Sequence, residues 1–177
     1  AVLMENKTGK ILSFVGGRDF KREETNHATS ALRSNGSTMK PLLVYAPGIE
    51  LGTLAPGTLV IDGPYAIPAG GKIWQPKNTS AVKFYLDIIH NKPVQYLEKM
   101  GFTSLTEADY SNLSMALGAL NKGVTVEENV NAYATLANNM NTKLLGIKGE
   151  NIRIYNIMLN YLYQTSRHFI NDERKEL

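Results

Sequence analysis

The chain has no cysteine. That excludes disulfides, thiolate metal sites and a cysteine nucleophile together, and leaves the compartment open. Histidine is nearly as scarce. His27, His90 and His168 stand far apart, with no His-x-x-x-His or His-Glu-x-x-His spacing, so no metal site is expected. No run approaches the roughly 18 apolar residues of a membrane span. Residues 1–4 are too short for the apolar core of a signal peptide, so any targeting segment or anchor is expected outside this sequence. One-signed charge is lacking too. Nineteen basic and sixteen acidic residues leave +3, scattered without a dense stripe, which argues against nucleic acid as a partner.

What is present fits one globular unit. The 177 residues are 43% hydrophobic and 20% charged, a soluble average that suits a single domain over residues 1–177. The start reads as a hairpin. Val2 to Met4 and Ile11 to Val15 are apolar runs around the turn-prone Asn6-Lys7-Thr8-Gly9. Residues 18–35 are polar and loop-like, with a possible helical turn at 28–32. Met39 to Ala46 is apolar and predicted helical from the Ser37 region onward. Prolines 47, 56, 64, 68 and 76 favour loops thereafter, with a short strand at Thr58-Leu59-Val60-Ile61.

The remainder reads as mostly helical. A helix is predicted over 79–90, followed by one over 93–97 capped by Asn91 and stopped at Gly101. Thr125-Val126-Glu127-Glu128 has the form of a capping box, opening a helix through Tyr133 and Leu136. Ile154, Met158 and Leu162 recur at i, i+4 and i+8, predicting an amphipathic helix over 152–165.

The segment that carries chemistry is Gly36-Ser37-Thr38-Met39-Lys40-Pro41. Its Ser-x-x-Lys spacing puts Ser37 and Lys40 one turn apart on one face of a helix start. A serine hydroxyl needs a base beside it to act as a nucleophile at neutral pH. A lysine amine serves when its lone pair is freed. The positive end of the helix suits the oxyanion of acyl transfer. The pattern points to serine acyl transfer. A bare Ser-x-x-Lys is otherwise read as a capping serine and a solvated lysine.

The surroundings decide between these. Thr8-Gly9-Lys10-Ile11, Val15-Gly16-Gly17, Asn26, Arg33, and Gly36 to Pro41 closely resemble the transpeptidase domain of penicillin-binding proteins, in particular the class A bifunctional type. Trp74-Gln75-Pro76-Lys77-Asn78 is similar to that family's aromatic-x-Pro-x-Asn segment. Tyr96 to Phe102, Ser114 to Gly118, Gly123 to Thr125 and Asn131 to Asn139 match further blocks in the family's order. The resemblance covers most of residues 8–139.

It also has gaps. The family's second motif is Ser-x-Asn, and no serine here has asparagine two residues later. Asn78 either ends the Pro-x-Asn segment or is the asparagine of the second motif, with Pro76 where the serine belongs. Missing residues near position 77 or 78 would reconcile the two. The third motif, Lys-Thr-Gly, follows the nucleophile in the family; Lys7-Thr8-Gly9 precedes it and is read as part of the opening turn. The core strand bearing the third motif is expected to be absent, leaving the domain incomplete and one side of the groove open.

The fold the resemblance implies is α+β, a mainly antiparallel sheet flanked by helices, of the penicillin-binding-protein transpeptidase and serine β-lactamase type. It implies a peptidoglycan D,D-transpeptidase with Ser37 as nucleophile, Lys40 as base and Asn78 binding a substrate amide. Stem peptides and β-lactams would be its ligands, with a glycosyltransferase domain and other cell-wall synthesis proteins as partners. No metal or organic cofactor is implied, and the place of action is the extracytoplasmic face of the bacterial membrane. The alternatives are a non-catalytic β-lactam- or cell-wall-binding remnant and, behind it, a serine β-lactamase. Ser37 and Lys40 are expected in hydrogen-bond reach, with Lys40 largely buried. Trp74 is read as groove or core, Tyr133 and Tyr155 as helix-face core, and His27 and Arg33 as cleft rim or plain surface.

Overall fold

The architecture comes from a computed structural model, which describes residues 1–19, 21, 23–61, 63–66, 73–74 and 78–137. The opening hairpin forms as the sequence predicts. Strands β1 (Val2–Met4) and β2 (Ile11–Phe14) pair antiparallel, Val2 opposite Phe14 and Met4 opposite Ile11, with a register shift between Leu3 and Met4. Lys7-Thr8-Gly9 lies in the turn between them, where the Gly9 amide donates to the Glu5 carbonyl at 2.9 Å.

After the polar loop the chain is helical from Gly36 to Glu50. One 3-10 turn (Gly36–Thr38) runs into a π-helical stretch (Lys40–Tyr45) and then α1 (Ala46–Glu50). The widening has a cause. Pro47 has no N–H to donate, and the Ala46 amide ahead of it reaches back five residues to the Pro41 carbonyl. Strands β3 (Tyr65–Ala66) and β4 (Ile73–Trp74) form a second small antiparallel pair. Helices α2 (Thr79–Ile88), α3 (Val94–Lys99) and α4 (Val126–Ala137) follow, with 3-10 turns at Ile89–Asn91, Glu107–Ser111 and Leu113–Leu117.

One core joins these helices. The face of α2 at 81, 82, 85 and 88 is buried, the i, i+1, i+4, i+7 stripe of an amphipathic helix. Val82, Tyr85 and Ile88 share the interior with Met39, Leu42 and Leu43 of the helix from Gly36, with Val94 and Leu97 of α3, and with Met115 and Leu136. Full burial of such a side chain contributes roughly 1.5–3 kcal/mol. The first turn of the Ser37 helix therefore rests on the best-packed part of the molecule.

Three expectations are corrected. Among the described residues the sheet is not the dominant element: two separate two-stranded pieces stand beside a helix-rich body. Residues 58–61 form no strand; Leu59 is 96% and Ile61 83% exposed, and among the described residues no neighbouring strand pairs with them. Asn91 does not cap α3. The preceding turn ends at Lys92 with φ +53, and Pro93, pre-set at φ −62, takes the cap position instead. The predicted helix at 152–165, with Tyr155, lies outside the described residues.

Candidate active site

The turn carrying Ser37 is fixed before the helix begins. Arg33 and Val124 exchange backbone hydrogen bonds at 2.9 and 2.8 Å, and the Ser34 hydroxyl donates to the Gly118 carbonyl at 2.6 Å. Gly36 then turns the chain at φ +55. Gly118, at φ +81, backs directly onto it: a Cβ there would sit 2.2 Å from the Gly36 carbonyl oxygen. From the far side α4 reaches the same turn. The Asn35 Nδ2 donates to Asn129 Oδ1 at 2.8 Å, and the Tyr133 hydroxyl donates to the Thr38 carbonyl at 2.9 Å. Thr38 Oγ1 closes the turn on itself by donating to the Asn35 carbonyl at 2.7 Å. The Asn35 Oδ1 is buried with no partner among the described residues, a cost of about 1–3 kcal/mol.

Ser37 is exposed at this helix start, and Lys40 is half-buried one turn on. Lys40 Nζ donates to Asn78 Oδ1 at 2.9 Å, across 38 residues of sequence. Asn78 thus engages the lysine amine one turn on from Ser37. The reason lies in α2. Asn78 stands at its N-cap, and its side chain makes no capping bond, so its amide oxygen is turned to the lysine. Buried Thr79 anchors the residue after it. The structure thus brings Lys40 and Asn78 together, with Ser37 on the adjoining turn.

The other predicted residues separate from this group. His27 and Arg33 are exposed, as the surface reading has it, and Arg33 acts through its backbone. Tyr133 is not core: it is 37% exposed and spends its hydroxyl on the Ser37 turn. Trp74 falls in β4, and its side chain lies outside the described residues. A pocket of about 410 Å³ opens between the hairpin and α4, lined by Met4, Ile11, Thr103 and Glu127 among others, and includes none of Ser37, Lys40 and Asn78. Asn129 was not singled out by the sequence pattern, and Gly118 was marked only as the end of the Ser114–Gly118 block. Their approach to the Ser37 turn spans more than eighty residues, which periodicity does not report.

Comparison with known proteins gives the family. The family model described as "Penicillin binding protein transpeptidase domain" matches residues 1–100. Penicillin-binding protein 1A of Neisseria flavescens is 33% identical over 67% of this chain and 17% of its own length. The protein of the same name from Neisseria meningitidis serogroup B is 33% identical over 77% of this chain and 19% of its own. Penicillin-binding protein 4 of Bacillus subtilis is 28% identical over 88% of this chain. The chain spans no more than 28% of the length of these relatives.

Proposed function

The chain belongs to the penicillin-binding protein transpeptidase family, and from that premise we propose that it carries the acylating residues of a peptidoglycan D,D-transpeptidase. Ser37 is the nucleophile, Lys40 the base, and Asn78 the residue that places Lys40 and a substrate amide. The observation that carries this reading is the Lys40 Nζ to Asn78 Oδ1 hydrogen bond beside the Ser37 helix start. It favours Asn78 as the asparagine of the second motif.

In the proposed reaction Ser37 Oγ attacks the carbonyl carbon of a terminal D-Ala-D-Ala. A C–O bond forms, and the hydroxyl proton passes to Lys40 Nζ. The C–N bond then breaks, and that proton leaves on the amine of D-alanine. An amine of a neighbouring stem peptide attacks the resulting ester, gives up its proton to Lys40, and restores Ser37. A β-lactam enters at the same step, but its opened amide stays tethered to the acyl group and blocks the second attack. The site acts on the extracytoplasmic face of the membrane, beside a glycosyltransferase domain and other cell-wall synthesis proteins. Among the described residues no helix is long and apolar enough to cross a membrane.

The test is covalent labelling of the full protein by a fluorescent penicillin, with the label located by mass spectrometry. Ser37→Ala is expected to abolish it, and Lys40→Ala to slow it by about 10²–10⁴-fold. Unchanged labelling of either variant overturns the assignment. One feature favours a second reading, a binding remnant without turnover: Pro76 offers no hydroxyl where the second motif has its serine. Stoichiometric labelling with no transfer to an amine acceptor would support that reading. Rapid penicillin hydrolysis would instead mark a β-lactamase.

A further inference from the structure

We propose that Asn129 and Tyr133 of α4 are positioning residues for Ser37, acting through the backbone of its turn. The inference rests on Ser37 being the nucleophile. The two side chains are four residues apart on α4 and so share one of its faces. That face grips both ends of residues 35–38. Asn129 Oδ1 accepts from Asn35 Nδ2 at 2.8 Å, before the serine; the Tyr133 hydroxyl donates to the Thr38 carbonyl at 2.9 Å, after it. A weaker contact, Thr38 Oγ1 to Asn129 Oδ1 at 3.4 Å, ties the two grips together.

Ser37 lies between the two anchored points, exposed, with Gly118 packed behind Gly36. Rotation of the turn would break one grip or the other, or drive Gly36 into Gly118. The side chains are poorly explained as packing alone. Tyr133 leaves 37% of its surface exposed and lies outside the buried core cluster. Asn35 is held with its Oδ1 buried and unpartnered among the described residues, which fits a side chain recruited for its amide nitrogen. Burial of Tyr133 raises its phenol above the ordinary tyrosine value, keeping it a proton donor to the carbonyl throughout the neutral range. The α4 face thus sets where Ser37 Oγ points, and a displacement on the order of 1 Å at a reacting atom can cost about a hundredfold in rate.

The experiment follows acylation of the full protein by a fluorescent penicillin, resolving the pre-covalent binding constant from the acylation rate constant. Tyr133→Phe keeps the ring and removes only the donor. Asn129→Ala removes the acceptor, and Asn129→Asp keeps one. Tyr133→Phe and Asn129→Ala are expected to slow acylation about tenfold or more with the binding constant and melting temperature unmoved. Asn129→Asp is expected to recover most of the rate. Wild-type acylation constants in both loss variants overturn the proposal, as does a loss that appears only in binding or in melting temperature. If the unaltered protein is not acylated at Ser37, the proposed function itself falls, and this inference with it.

Discussion

At the scale of single residues, the site is held by what its neighbours lack. Gly118 has no side chain, and any Cβ there would meet the Gly36 nitrogen at 2.4 Å and its Cα at 2.6 Å. Both are backbone atoms and cannot swing aside. Gly118→Ala also carries a left-handed penalty of roughly 1–2 kcal/mol at φ +81. The expected result is a stability loss of about 2–4 kcal/mol by urea unfolding, together with slower labelling of Ser37. Gly57 is the control, with nothing within 4 Å of its added Cβ, and Gly57→Ala is expected to leave both measurements nearly unchanged. Tyr85 presents the opposite case. Burial, with the charge of Asp109 adding to it, pushes its phenol far above the ordinary tyrosine value, and its hydroxyl has no partner among the described residues. Tyr85→Phe keeps the ring and removes the stranded group, so stability is expected to rise by about 1 kcal/mol. A fall of that size would show that the hydroxyl has a partner in solution.

At the scale of elements, what could be read in advance is what local chemistry decides. The hairpin, α2 and the start of α4 follow from alternation, amphipathic spacing and a cap, all confined to short windows. The capping box is the clearest. Glu128 Oε2 accepts from the Thr125 amide at 2.9 Å, and Thr125 Oγ1 accepts from the Glu128 amide at 3.1 Å. Its other oxygen, Oε1, accepts from the Thr103 amide and hydroxyl, both at 2.8 Å, a contact no local pattern announces. The 3-10 turns at Glu107–Ser111 and Leu113–Leu117 went unread because each is only five residues long, although Thr106 and Asp109 have the same cap spacing as Thr125 and Glu128. The strand expected at 58–61 failed for a related reason: β propensity makes a ladder only when a second strand is at hand. In the site, Ser37, Lys40 and Asn78 are legible from their motifs, whereas the contacts of Gly118, Asn129 and Tyr133 with the Ser37 turn depend on tertiary approach. Glu128 also sets a pH dependence. Burial raises its carboxyl, but the Thr125 and Thr103 hydrogen bonds outweigh this and leave it below the ordinary glutamate value. A lowered native value stabilises the fold above the unfolded-state value, and that contribution is lost as pH falls through the native one. Glu128→Gln is therefore expected to lower the melting temperature at pH 7, with the gap to the unaltered protein closing in the acid range. A gap that persists undiminished well below the ordinary glutamate value would show that charge is not the cause.

At the scale of the whole molecule, packing is uneven, and the site sits on its stronger side. Met39, Leu42 and Leu43 are fully buried among α2, α3 and residues 115–116, within a turn or two of Ser37. The hairpin is different. Leu3, Leu12, Phe14 and Val15 leave 51–61% of their surface exposed, and both edges of its two strands offer few partners among the described residues. An isolated two-stranded hairpin is marginal in water, while a helix cluster with a common interior unfolds as a unit. Native-state hydrogen exchange should expose this division. Amides of residues 42–44 and of α2 are expected to open only with global unfolding, while those of β1 and β2 exchange through smaller local openings. Substitution follows the same line. Leu43→Ala removes a fully buried side chain and is expected to cost about 2–5 kcal/mol. Leu12→Ala, at a position 61% exposed, is expected to stay within about 0.5 kcal/mol. Ser37 labelling should then track the cluster: it collapses in Leu43→Ala near that variant's unfolding midpoint and persists in Leu12→Ala under conditions where β1 and β2 already exchange freely. Hairpin amides as protected as those of residues 42–44 would overturn the division, because they would place the hairpin in the same cooperative unit as the helix that carries Ser37.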